Sequence, residues 1–185
     1  MSGHTTQLDL QSYQILMTDL RVHDAMSTVL PAAAANDDMG VVTGTPGTAA
    51  PSVQGVDFGG ASTDEKCGFQ FQLPQTYRDG ETITLRCHAG MLTTVSDGTA
   101  TLDVECWPDD GDATVSTDIC STAATSINST TLANKDFTIT PTGRVNGDLL
   151  NFRLTFGGSD TGNAGVMIPT VTKIEVLLDI NPLAG

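Results

Sequence analysis

From Cys67 onward, apolar and polar positions alternate along the chain with a period of two. Phe69, Phe71 and Leu73 alternate with Gln70 and Gln72 up to Pro74. Ile83, Leu85, Cys87, Ala89 and Met91 alternate with Thr82, Thr84, Arg86 and His88, and Leu102, Val104 and Cys106 form the next apolar face. Phe137 and Ile139 mark a short element stopped by Pro141. Phe152, Leu154 and Phe156 alternate with Asn151, Arg153 and Thr155, and Ile174, Val176, Leu178 and Ile180 lead to Pro182. Successive residues of a strand point to opposite sides, so this pattern predicts strands with one face in a core and one in water. Several in succession predict two antiparallel sheets packed as a β-sandwich. The expected inward set includes Phe71, Leu85, Val104, Ile139, Leu154 and Val176. Arg78-Asp79-Gly80, Ser96-Asp97-Gly98 and Asn146-Gly147-Asp148 read as turns, and the strands on either side of Asp97-Gly98 are expected to form a hairpin.

Residues 1–66 follow another pattern. Pro31 precedes four alanines, Ala32 to Ala35, and Gly40 to Ser52 is rich in Gly, Thr, Pro and Ala. Such a stretch buries little. Its apolar cluster is Ile15, Leu16, Leu20 and Val22, whose spacing fits neither a strand nor a helix decisively. The expected organisation is an extended N-terminal arm, residues 1–66, followed by a β-sandwich domain, residues 67–185. The arm is expected to run along a partner surface, anchored by Ile15, Leu16, Leu20 and Val22.

Composition narrows the partners. The chain has 185 residues, 8 Lys+Arg against 22 Asp+Glu, and a formal charge of −14. That field repels phosphate backbones and anionic lipid, so neither nucleic acid nor a membrane is an expected partner. Met1 to Leu20 has no basic region followed by an apolar run, so no secretory leader is expected and the cysteines are expected to be reduced. Thr is abundant, 28 against 3 Lys, which suits the exposed faces of strands.

Candidate chemistry is sparse. Cys67, Cys87, Cys106 and Cys120 contain no C-x-x-C pair, and adjacent Cys87 and His88 point to opposite faces of a strand, which disfavours a shared metal. Cys87 and Cys106 fall on one inner face and read as small buried hydrophobes, with a disulfide requiring closer approach. Asp109, Asp110, Asp112 and Asp118 cluster after Trp107-Pro108 as carboxylates suited to calcium, but their spacing departs from the EF-hand loop. Asp103 and Glu105 share one strand face, yet a glycosidase also needs a cleft with aromatic platforms and Trp107 is the sole tryptophan. His4, His23 and His88 offer no Ser-His-Asp arrangement beside a G-x-S-x-G elbow, and no phosphate-binding G-x-x-x-x-G-K loop occurs. Asn128-Ser129-Thr130 fits a glycosylation sequon. No catalytic residue, cofactor or metal is expected.

Two stretches resemble a known group. Leu73-Pro74-Gln75-Thr76-Tyr77-Arg78-Asp79-Gly80 precedes Ile83-Thr84-Leu85. Phe137-Thr138-Ile139-Thr140-Pro141 leads through Gly143 to Gly147-Asp148-Leu149-Leu150-Asn151-Phe152-Arg153-Leu154. This resembles a diffuse group of tailed-bacteriophage virion proteins with a jelly-roll-like β-sandwich, over roughly Phe69 to Ile180. After Arg153 the chain departs from that pattern with a Gly-rich stretch, Gly157 to Val166. The resemblance implies a capsid decoration (cement) protein on the outer surface of a phage head, bound to the major capsid protein and to copies of itself, as a trimer. The alternative it leaves is a tail-fibre or receptor- or carbohydrate-binding module.

Overall fold

A computed structural model describes residues 9–42, 50–59, 63–93, 98–109, 111, 116–162 and 165–181. The described strands are β1 (Asp9–Ile15), β2 (Arg21–Val22), β3 (Ala25–Val29), β4 (Gly40–Val42), β5 (Ser52–Gln54), β6 (Thr63–Gln72), β7 (Ile83–Met91), β8 (Gly98–Asp109), β9 (Thr125–Ser126), β10 (Ala133–Ile139), β11 (Leu149–Asp160) and β12 (Pro169–Ile180). They form two six-stranded sheets. One runs β10-β7-β12-β5-β4, with β1 also paired to β12; the other runs β3-β2-β6-β11-β8-β9. The pairings between strands are antiparallel. The protein is therefore an all-β sandwich.

The period-two pattern becomes the core directly. Leu85, Val104, Ile139, Leu154 and Val176 are all buried between the sheets, and Phe69 stacks on its cross-strand partner Phe152 with ring centroids 4.9 Å apart. Phe71, nearer the sandwich margin, is only half-buried and meets Tyr13 edge-on at 5.9 Å. The six long strands among β6 to β12 alternate between the two sheets, so the chain crosses the core at each reversal.

That alternation overturns the expected hairpin about Asp97-Gly98. β7 pairs with β10 and β12, whereas β8 pairs with β11 and β9 in the opposite sheet. An apolar face identifies a strand but not its neighbour, and β7 and β8 lie in opposite sheets instead of sharing an edge. Asp97 itself lies outside the described residues, as does Pro182.

The other turns form as read. Gly80 has φ +76° and Gly147 φ +88°, a backbone region open to glycine without strain. They also meet. The Asn146 amide donates to Asp79 Oδ1 at 2.8 Å, Gly80 N–H to Arg144 O at 3.0 Å, and Gly147 N–H to Leu73 O at 2.8 Å. Tyr77 is buried between them and its hydroxyl donates to Glu81 O at 2.6 Å. The two stretches that carry the resemblance thus pack together at one end of the sandwich.

The N-terminal third corrects the expected domain division. It is extended, but it lies on its own sandwich. β1 pairs with β12 from Asp9↔Ile180 to Ile15↔Ile174, β4 and β5 continue the same sheet, and β2 joins the other sheet through Arg21↔Gly68. A boundary between residues 66 and 67 would cut β6. Ile15, Leu20 and Val22 are buried in the common core with Leu30, Met39, Val53 and Phe58; only Leu16 of the expected anchors faces solvent. The physical reason is that β12 carries a row of backbone N–H and C=O groups on the side away from β7, and β1 satisfies them. Isolated apolar residues in a Gly/Thr/Pro-rich stretch cannot build a core, but they can complete one. Gly40 is required there, because a Cβ would collide with the backbone of Ala33 and Ala34. Residues 43–49 of the Gly/Thr/Pro stretch lie outside the described residues.

Candidate functional site

Two surface features arise from how the N-terminal third packs. The first is a shallow apolar groove of about 290 Å³ lined by Met17, Leu20, Val29, Leu30, Ala32 and Val41, with Thr18 at its side. A 3-10 turn at Met17–Asp19 and the β2–β3 ribbon build it. Leu16 precedes Met17 and is 57% exposed; Val29 is 60% and Leu10 62% exposed. Large aliphatic side chains that exposed remain available for burial against another surface. Of the anchors expected from sequence, Leu16 stands beside the groove in the chain, Leu20 lines it, and Ile15 and Val22 serve the core.

The second feature lies on the outer face of β6, β11 and β8. The register places Gln70, Asn151 and Trp107 in one row and Gly68, Arg153 and Glu105 in the next. Gln70 Nε2 donates to Asn151 Oδ1 at 2.8 Å. Arg153 donates to Glu105 Oε2 through Nε and Nη2, each at 2.5 Å, and its guanidinium lies 5.0 Å from the Trp107 ring centroid. The β2–β3 ribbon overhangs this face, with Met26 seated against Gly68 where any Cβ would meet its sulfur. The result is an open pocket of about 160 Å³ bordered by His23, Met26, Trp107, Asn151 and Arg153. A half-exposed indole beside amide and guanidinium groups can hold a polar, ring-shaped ligand.

His23 stands where that pocket meets the loop before β4. Its Nδ1 lies 3.5 Å from Asp38 Oδ1 and its Nε2 3.9 Å from Asp37 Oδ2. The loop is pinned to β6, since Lys66 N–H donates to Asp37 O at 2.7 Å and Met39 N–H to Lys66 O at 3.1 Å. Asn36 turns the chain at φ +59°. Sequence reasoning passed over this group; the only signal was two short acidic turns, His23-Asp24 and Asp37-Asp38, whose convergence depends on β6.

Some of the residues weighed for chemistry carry structural bonds. Asp118 Oδ1 accepts from the Cys106 and Cys120 amides, both at 2.9 Å, and Asp109 Oδ1 accepts from Gly111 N–H at 2.9 Å. Asp110 and Asp112 lie outside the described residues. Glu105 is held by Arg153, while burial pushes the Asp103 carboxyl upward, with the charges of Glu105 and Asp118 adding to it. His88 Nδ1 lies 3.0 Å from Asn134 Oδ1, and His4 is outside the described residues. Asn128 Nδ2 donates to Gly98 O at 2.7 Å, which ties the sequon side chain to the sandwich.

All four cysteines are free thiols. Cys87 and Cys106, expected on one inner face of a hairpin, lie in opposite sheets. Burial pushes the Cys67 thiol up to about 12 and that of half-buried Cys120 up to about 11. Because the thiolate is the nucleophile, native protein treated with a chromogenic disulfide at pH 8 is expected to release at most one equivalent quickly, from Cys120. Guanidinium should expose all four. Fast release of two or more from native protein would contradict a closed core.

Compared with known protein families and with curated protein sequences, the chain matches none. What the fold defines is a class: an antiparallel β-sandwich whose N-terminal segment completes the core and leaves an apolar groove outside it.

Proposed function

We propose that this protein is a structural virion component, a capsid decoration or cement protein that attaches to the outer surface of a phage head and stabilises it. The observation that carries the reading is the apolar groove with exposed Leu16 and Val29 on a strongly acidic sandwich. Burying exposed aliphatic side chains at about 1.5–3 kcal/mol each, on many copies at once, is a physical route to clamping a shell. The partner is the major capsid protein, and copies of the chain associate with one another, as a trimer. The virion setting rests on the resemblance of Leu73–Gly80 and Gly147–Leu154.

A second reading, a receptor- or carbohydrate-binding module of a tail fibre, is favoured by one observation, the Trp107–Arg153–Asn151 pocket. Imaging of intact particles labelled with an antibody against the chain separates the two. Label at symmetric positions on the head supports decoration, label on the tail supports the module, and unlabelled particles of every kind would sink both. The paired substitution Leu16→Ser and Val29→Ser is expected to reduce attachment to heads at least about tenfold with the melting temperature little changed, because both side chains are already in water. Undiminished attachment would remove the groove from the interface.

A further inference from the structure

We propose that His23, Asp24 and Asp38 bind one zinc-class divalent cation, which fastens the β2–β3 turn to the loop before β4. One ligand atom from each of these three residues lies within 4.8 Å of the others. The 3.5 Å between His23 Nδ1 and Asp38 Oδ1 is too long for a hydrogen bond. It does match the separation of about 3.4 Å between two ligands on a tetrahedral ion with bonds of about 2.1 Å. Both atoms are sealed from solvent and neither has a hydrogen-bond partner, so each lacks the partner that a buried polar atom ordinarily finds. An ion at this point satisfies both. Asp24, on the exposed side, supplies a third oxygen and leaves room for water as the fourth ligand.

The donor set selects the ion. An imidazole nitrogen with two carboxylates suits zinc, cobalt or nickel, whereas calcium takes oxygen ligands alone. The consequence is local order. The ion joins a turn of one edge ribbon to the loop carrying Asp37 and Asp38, and so holds the ribbon that walls both the apolar groove and the Trp107 pocket. This inference is independent of the virion reading.

The test starts from full-length protein stripped with a chelator. Zinc added at a hundredfold excess over its dissociation constant is expected to raise the melting temperature by roughly 5–10 °C. Titration with cobalt(II), followed by visible absorption, should saturate at one ion per chain without thiolate charge-transfer bands. His23→Ala and Asp38→Asn should abolish both signals. Cobalt binding is read on the native protein at room temperature, so it decides the matter even if a variant melts early. Absence of saturable cobalt binding overturns the proposal. So does an equal stabilisation by calcium, or a zinc effect that survives in both variants, since either would mark diffuse binding to an acidic surface.

Discussion

A chain lacking residues 1–60 is expected not to fold. The segment carries Ile15, Leu20, Val22, Leu30, Met39, Val53 and Phe58, all buried in the one core shared by both sheets. Its removal also strips β1 from β12 and leaves the apolar strand Ile174–Ile180 with an open edge, a template for aggregation. Even one of these side chains matters, since Leu20→Ala is expected to cost about 2–5 kcal/mol. Total stabilities of single domains are about 5–15 kcal/mol, so losing the whole set exceeds what the remainder can sustain. The check is circular dichroism and amide-proton dispersion of residues 61–185 beside the intact chain. A truncated protein that melts cooperatively near the full-length temperature would restore the N-terminal third to an independent arm.

Replacing Glu65 by Gln is expected to stabilise the protein above pH 7 and to leave it nearly unchanged at pH 4.5. Glu65 is fully buried; its Oε2 accepts from Val56 N–H at 2.9 Å while Oε1 has no partner. Gly55 permits this approach, because a Cβ there would run into the carboxylate. Burial pushes the carboxyl up from its ordinary value near 4.5 to about 7, with the Val56 amide opposing only in part. The folded state therefore holds its proton more tightly than the unfolded chain. The stabilisation from that proton is complete below about pH 4.5 and is lost as pH rises through about 7. Each tenfold change in proton affinity corresponds to about 1.4 kcal/mol, so charging Glu65 in place costs on the order of 3 kcal/mol by pH 8. Glutamine keeps an acceptor for Val56 and carries no charge.

Asp136, held low by the Arg86 guanidinium, and Glu175, held low by Lys173 and Ser12, act in the opposite sense and lose their contribution as the pH falls below the carboxylate range. The informative quantity is thus the difference between wild type and Glu65→Gln in chemical denaturation from pH 4.5 to 8. Parallel stability curves would show that Glu65 stays ionised at no cost.

Much of the sandwich is written in local sequence. The alternation Ile83–Leu85–Cys87–Ala89 and Phe152–Leu154–Phe156 fixes which side of each strand enters the core, because side-chain direction in a strand is set by residue parity alone. The turns at Gly80 and Gly147 were equally legible, since each depends on a few neighbouring residues and a glycine at positive φ. Strand partnership was not. The order β10-β7-β12 and the separation of β7 from β8 depend on which faces meet across the core, and no local period encodes that.

The N-terminal third shows the same limit more sharply. Its composition suggested a segment that buries little and said nothing about whether it could finish a core, as Ile15, Leu20, Val22, Leu30, Met39, Val53 and Phe58 do. Pairing Asp9 with Ile180 joins residues near the two ends of the described chain, and only the open edge of β12 makes that pairing favourable. The approach of His23 to Asp38 likewise required β6 to hold the intervening loop, and the raised carboxyl of Glu65 required walls drawn from distant segments. Residue parity and turn chemistry, being local, were settled by the sequence itself. Partners, burial of charge and the convergence of ligands are properties of contacts between distant segments, so the tertiary structure alone decided them.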